Sequence, residues 1–150
     1  MNNQLNIVIS CDHAGFELKE AVKRWLTGQG VQVTDLGPST ADRVDYPDMI
    51  HPLAQTINEG RFEKGIIICG SGNGVAMTAN KYPNVRAAIC WNREIAALAR
   101  QHNDANIISL PARFLSEEEA LACVEAFLNE AFEGGRHAER VNKIAIRTCV

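Results

Sequence analysis

A cysteine that closes an apolar run and opens a glycine-rich loop is the residue in this chain best placed for chemistry. In "IIICGSGNGVAMTANK" (residues 66–81) three isoleucines lead into Cys69, and Gly70, Ser71, Gly72, Asn73 and Gly74 follow. Glycines let backbone amides approach a ligand closely. A helix starting behind the loop adds a positive dipole. Such a loop suits an anion or a developing oxyanion. Val75 excludes the common glycine-loop chemistries. It stands where a dinucleotide fingerprint begun at Gly70 and a phosphate-binding loop each need glycine, and where a thiol phosphatase needs arginine. The plainer reading is a tight strand–helix turn over a buried, inert thiol. The glycines, with Ser71 and Asn73, favour a site.

Other clusters carry similar chemistry. "CDHAG" sets Asp12 and His13 just after an apolar run, where either can cap a helix or face a ligand. "RQHNDAN" sets His102 and Asn103 at a helix end, where histidine also suits the helix dipole. "GGRHAERVNKIAIR" (residues 134–147) aligns Arg136, Arg140, Lys143 and Arg147 in one cationic stripe, with Val141, Ile144 and Ala145 on another face. Such a stripe is commonly a solvated face. Arg136, however, falls near a helix N-terminus, where the dipole disfavours positive charge, and an anionic ligand relieves that conflict. A thiol, an anion-stabilising loop, histidines and arginines together suit a proton-moving reaction on a small phosphorylated substrate. The histidines and acids show no metal-ligand spacing.

The elements that must position these residues alternate along the chain. Strand-like runs fall at residues 5–11, 31–37, 64–69, 85–90 and 105–110. Helical spacing lies between them: Leu18, Ala21, Val22, Trp25 and Leu26; then Ile50, Leu53, Ala54 and Ile57 behind Pro47; then Ile95, Leu98 and Ala99. Ser116 and Glu119 form a capping box before Leu121, Val124 and Leu128. Gly134 and Gly135 break that helix, and a last one is predicted over about 136–148. Apolar strands separated by amphipathic helices imply an α/β fold with a five-stranded parallel sheet covered on both faces. Ligands in such sheets bind beyond the carboxyl ends of the strands. Residues 11–13, 37–46, 69–74, 90–92 and 111–113 are expected to meet there.

Bulk properties narrow the class. The chain has 150 residues and 46% hydrophobic content, enough for one domain with a real core. A net charge of −3 gives no sign of a general nucleic-acid binder. No apolar run is long enough for a membrane span, and no signal peptide is apparent. The five cysteines (Cys11, Cys69, Cys90, Cys123, Cys149) form neither a CxxC pair nor a disulfide framework, so reduced thiols in a cytoplasm are expected.

On "CDHAGFELK", "DYPD", "IIICGSGNGVAMTANK", "VRAAIC", "RQHNDANI" and "EGGRHAERV", in that order, the chain resembles the ribose/galactose isomerase family, in its ribose-5-phosphate isomerase B branch. The resemblance covers nearly the whole length. It implies a three-layer α/β/α, Rossmann-like sandwich, homodimers or tetramers, no metal or organic cofactor, and interconversion of ribose 5-phosphate and ribulose 5-phosphate in the pentose phosphate pathway.

The resemblance also implies roles. Cys69 is the general base that moves a proton between the first two carbons. His102 opens the sugar ring, with His137 competing for that role. Ser71 exchanges protons between substrate oxygens. Amides of Gly70, Gly72, Asn73 and Gly74 stabilise a cis-enediolate. Asp12, Tyr46 and Asn103 hold sugar hydroxyls. His13 and Arg113 bind the phosphate, joined by Arg136 and Arg140 from a partner subunit on which the final helix packs. Some members carry a glutamate in place of the loop cysteine, at the position of Val75; this chain has the cysteine and lacks the glutamate. Other phosphorylated aldoses, such as allose or galactose 6-phosphate, are the alternative substrates, and a sugar-phosphate sensor without catalysis is the alternative class.

Overall fold

All five apolar runs become strands of one parallel sheet in the computed structural model, which describes residues 5–146. The order along the chain is β1 (Asn6–Cys11), a 3-10 turn (His13–Gly15), α1 (Phe16–Gly28), β2 (Gln32–Asp35), α2 (Tyr46–Asn58), β3 (Lys64–Cys69), α3 (Asn73–Ala79), β4 (Ala87–Ile89), α4 (Arg93–Gln101), β5 (Ile107–Pro111), α5 (Glu117–Asn129) and α6 (Arg136–Val141). Strands lie in the order β2-β1-β3-β5-β4. The chain adds β2 on one side of β1 and β3 on the other, so the strand direction of growth reverses between β1 and β3. A crevice opens at the carboxyl ends there.

Strand side chains alternate between faces, and each face has its own helices. Ile7, Ile9, Ile66, Ile68, Ile108 and Leu110 pack with Val22 and Leu26 of α1, Ala96 and Ala99 of α4, and Val124 and Phe127 of α5. Val8, Ile67, Cys69 and Ile107 face Ile50, Leu53 and Ile57 of α2 and Val75 of α3. Burying an isoleucine is worth roughly 1.5–3 kcal/mol, so these two layers fix the register. Cys69 therefore points to the α2–α3 side, away from α1, α4 and α5.

Local signals set the helix ends. Pro47 lies in the first turn of α2. Asn92 caps α4 by accepting from the Ile95 amide at 2.9 Å. Ser116 and Glu119 bond each other's backbone as a capping box. Several boundaries differ from the sequence expectation. The second and fourth strands are shorter, because edge strands pair on one side only. The final helix ends at Val141 rather than near residue 148, and the chain turns from Asn142 onward. Of the cationic stripe, Arg136 and Arg140 lie on the helix, Lys143 lies in the turn, and Arg147 lies outside the described residues, as does Cys149. Helix α6 buries none of its residues, and Ile144 beyond it is 57% exposed.

Candidate active site

The loop after β3 is held from below. Ser109 on β5 donates to the Gly72 carbonyl at 2.7 Å, because β5 lies beside β3 in register Ile67↔Ser109. Gly72 takes a left-handed φ of 74°, where a side chain is strained. Its amide turns back and donates to Cys69 Sγ at 3.1 Å. The thiol, 5% exposed, thus meets a backbone donor on one side and an open cleft on the other. The Asn73 amide donates to Ser71 Oγ at 3.2 Å. The Gly70 and Ser71 amides have no acceptor among the described residues and remain available to an anion.

A cleft of about 420 Å³ collects groups from four segments around that sulfur. Asp12, His13 and Ala14 follow β1. Tyr46 opens α2. Ser71, with Gly70 and Gly74, follows β3, and Arg113 with Phe114 follows β5. Asp12 does act as a cap: its carboxylate accepts from the Gly15 amide at 3.1 Å, while the residue still lines the cleft. His13 Nδ1 sits 3.3 Å from both the amide nitrogen and the carbonyl oxygen of Val44. The ring is thereby fixed in either tautomer, and Nε2 is left for a ligand. Arg113 enters no ion pair among the described residues. Two glycines are needed for contact: a Cβ on Gly74 would lie 2.6 Å from the Tyr46 ring, and one on Gly70 would lie 2.9 Å from the Arg113 guanidinium. Phe114, 74% exposed, escaped the sequence reading, although it directly follows Arg113 at the same strand end.

His102 and Asn103 do not line this cleft within one chain. The reason is topological. Helix α4 runs back antiparallel to the strands, so its end lies at their amino edge. His102 is its C-cap, and Asn106, just beyond, bonds the Gly65 and Arg86 backbone at the starts of β3 and β4. Cys69 closes the other edge. A six-residue strand spaces the two edges by roughly 16 Å.

That amino edge carries its own cluster. Arg100 donates to Asp104 Oδ1 at 2.9 Å and to the Ala105 carbonyl at 2.7 Å, pinning the turn that holds His102 and Asn103. The Glu133 amide donates to the Gln101 carbonyl at 3.0 Å, bringing the α5–α6 link alongside. His102 and His137 stack with centroids 4.2 Å apart and planes 11° apart. Their Nε2 atoms lie 3.5 and 4.0 Å from Glu133 Oε1. Partial desolvation lowers the His137 pKa, and His102, Arg136 and Arg140 lower it further against the pull of Glu133. Glu133 was missed in the sequence, though it stands four residues before His137. Arg136 and Arg140 flank this cluster on α6. Each chain thus carries two polar clusters at opposite sheet edges: a thiol beside free loop amides, and a histidine pair flanked by arginines.

Comparison with known proteins agrees with this architecture. The ribose/galactose isomerase family model matches residues 7–144. The probable ribose-5-phosphate isomerase B of Mycoplasma pneumoniae is 49% identical over 92% of this chain and 91% of its own length. The ribose 5-phosphate isomerase of Thermotoga maritima superposes with a TM-score of 0.93 at 44% identity, covering 95% of this chain and 99% of that one. Ribose-5-phosphate isomerase B from Mycoplasma genitalium, solved with bound ribulose-5-phosphate, gives a TM-score of 0.90 at 42% identity, covering 93% of each chain. The chain belongs to the ribose/galactose isomerase family and is a sugar-phosphate isomerase. Among the described residues no helix is long and apolar enough to cross a membrane.

Proposed function

We propose that the chain interconverts D-ribose 5-phosphate and D-ribulose 5-phosphate, in a cytoplasmic pentose phosphate pathway, and that each active site is completed by a partner subunit. The observation that carries the chemistry is Cys69, facing a cleft that also holds uncommitted loop amides and, across it, His13 and Arg113.

The steps follow from those positions. The ring form has no carbonyl, so its neighbouring C–H is not acidic. His102 of the partner subunit takes the proton of the anomeric hydroxyl and returns one to the ring oxygen, giving the open aldehyde. The Cys69 thiolate then removes the proton from the second carbon. That electron pair forms the carbon–carbon double bond of a cis-enediolate, and the carbonyl oxygen takes the negative charge. The free loop amides, those of Gly70 and Ser71 among them, stabilise this charge, whereas the amides of Gly72 and Asn73 are committed to Cys69 Sγ and Ser71 Oγ. Ser71 passes a proton between the two oxygens, and Cys69 returns its proton to the first carbon. Nothing is oxidised or reduced overall, and no organic cofactor is required. His13 and Arg113 hold the phosphate from one chain; Arg136 and Arg140 close on it from the other, where planar guanidinium donors match phosphate oxygens. Asp12, Tyr46 and Asn103 hold the sugar hydroxyls.

The two-chain site is supported by the separation of the two clusters, each incomplete alone, and by the uncovered α6. A two-fold dimer brings the amino edge of one chain over the carboxyl edge of the other in both directions at once. The test is a coupled assay of the purified protein across five- and six-carbon aldose phosphates. Highest turnover on ribose 5-phosphate is expected. Preference for a six-carbon phosphate would move the substrate assignment, and binding without turnover would reduce the protein to a sensor.

A further inference from the structure

We propose that His102, Glu133 and His137 form a binding site for a zinc-class divalent cation, and that filling it switches the isomerase off. Two imidazoles and one carboxylate are a ligand set that zinc accepts, leaving one open coordination position. The candidate ligand atoms all lie within 4.8 Å of one another. Tetrahedral zinc with bonds of about 2.1 Å separates its ligands by about 3.4 Å. The Nε2–Oε1 distances of 3.5 and 4.0 Å already approach this. His137 lies in the first turn of α6, and the backbone of Glu133, in the link before it, is tied to α4 through the Gln101 carbonyl. The His102 ring has to turn, and the His137–Glu133 pair has to close by a few tenths of an ångström. The near-parallel stack must splay so that both ring lone pairs converge on the metal. His102, 39% exposed at the end of α4, has room to do so.

The cost is electrostatic: Arg136 and Arg140 repel a cation, against one favourable carboxylate. The site therefore selects by donor chemistry rather than charge. Zinc and copper gain from the imidazoles, whereas magnesium and calcium, which need several oxygens, do not. The cation site stands independently of the reaction; its consequence rests on the ring-opening role of His102 proposed above. Once both His102 and His137 ligate metal, neither can shuttle protons to a sugar ring.

The experiment titrates zinc chloride into the purified dimer by calorimetry, in Cys69→Ala protein so that the cleft thiol cannot compete. The expected result is one zinc per chain, no response to magnesium, and a loss of more than about 100-fold in affinity in the added variants Glu133→Gln and His137→Ala. A cobalt titration of the wild-type chain should give a tetrahedral spectrum without a thiolate charge-transfer band. Loss of binding in Cys69→Ala, or unchanged affinity in Glu133→Gln and His137→Ala, would overturn the cation site. Zinc bound at these residues with undiminished turnover of ribose 5-phosphate would overturn the switch. Because binding is read without turnover, failure of the ribose reading leaves the cation result interpretable.

Discussion

The Gly72 amide donates to the sulfur of Cys69 at 3.1 Å, and Ser109 holds the same glycine through its carbonyl at 2.7 Å. One residue thus links the core of the sheet to the atom proposed to move the proton. The donor orients the sulfur and presents partial positive charge to it. Replacing Cys69 by alanine should lower turnover by on the order of 10²–10⁴-fold, the usual contribution of a positioned base. Cys69→Ser should be nearly as slow, because a hydroxyl is a far weaker acid. Steady-state rates on folded variants decide this, and near-normal turnover by either variant would remove Cys69 from the mechanism.

Cys69 should also be the described thiol that reagents reach. Burial pushes the thiols of Cys11 and Cys90 up to about 12 and that of Cys123 up to about 11. At pH 8 a thiol at about 12 is ionised in roughly one molecule in ten thousand. Alkylation of native protein followed by peptide mass analysis should find Cys69 modified and those three untouched. Activity should fall in step with labelling, and a phosphorylated sugar should protect it. Labelling of Cys11, Cys90 or Cys123 at the rate of Cys69 would contradict the burial argument.

His102→Ala should separate ring opening from proton transfer. Ribose 5-phosphate is largely cyclic, whereas ribulose 5-phosphate cannot close a furanose ring and is already open. Initial rates on one preparation should fall much further from the aldose side than from the ketose side. Equal losses would indicate general positioning, and the same asymmetry in His137→Ala instead would exchange the roles of the two stacked histidines.

A buried ammonium tests the packing around β1 and α1. Lys19 is 0% exposed and donates to Asp35 at 2.6 Å, Glu20 at 3.1 Å and the Pro38 carbonyl at 2.9 Å. Burial alone would raise the Asp35 carboxyl, but hydrogen bonds from Lys19, Lys23 and the Gly37 amide outweigh it and hold it below its ordinary 3.8. A carboxyl lowered on folding stabilises above its unfolded value, and this stability is lost as pH falls through the folded value. Urea unfolding at neutral pH should show Asp35→Asn destabilised by about 1–3 kcal/mol, because Lys19 loses one charged partner but keeps Glu20 and the Pro38 carbonyl. The difference from wild type should shrink below about pH 4. A constant difference across pH would show that Asp35 acts through packing alone.

The sheet was legible because its strands are nearly continuous apolar runs of strand length, from the Ile7–Ile9 region to Ile107–Leu110, and two-faced burial forces that pattern. Ser116 and Glu119 announced their capping box because both partners lie within one turn. The insertion of β5 between β3 and β4 was not legible, since strand order rests on contacts between distant segments. The Cys69 cleft was readable from residues that follow strands. His102 was legible as a residue at a helix end, but which chain's cleft it serves depends on assembly and is not written in the order of one chain's elements. A residue that ends a helix and precedes a strand falls at the amino edge, and that signal was present in "RQHNDANIISL". Glu133 became visible only when the link to α6 folded back on α4.

The central claim is that Cys69 of one chain works with His102 of another, and mixing two inactive variants tests it most directly. Cys69→Ala and His102→Ala proteins are unfolded together, refolded and assayed on ribose 5-phosphate, with heterodimers confirmed by native mass spectrometry. Random pairing makes about half of the dimers mixed. In each mixed dimer one site carries both lesions and the other carries neither, so about a quarter of wild-type activity should return. Activity no greater than the average of the two separate variants, with heterodimers present, would contradict the shared site and return His102 to a role away from Cys69.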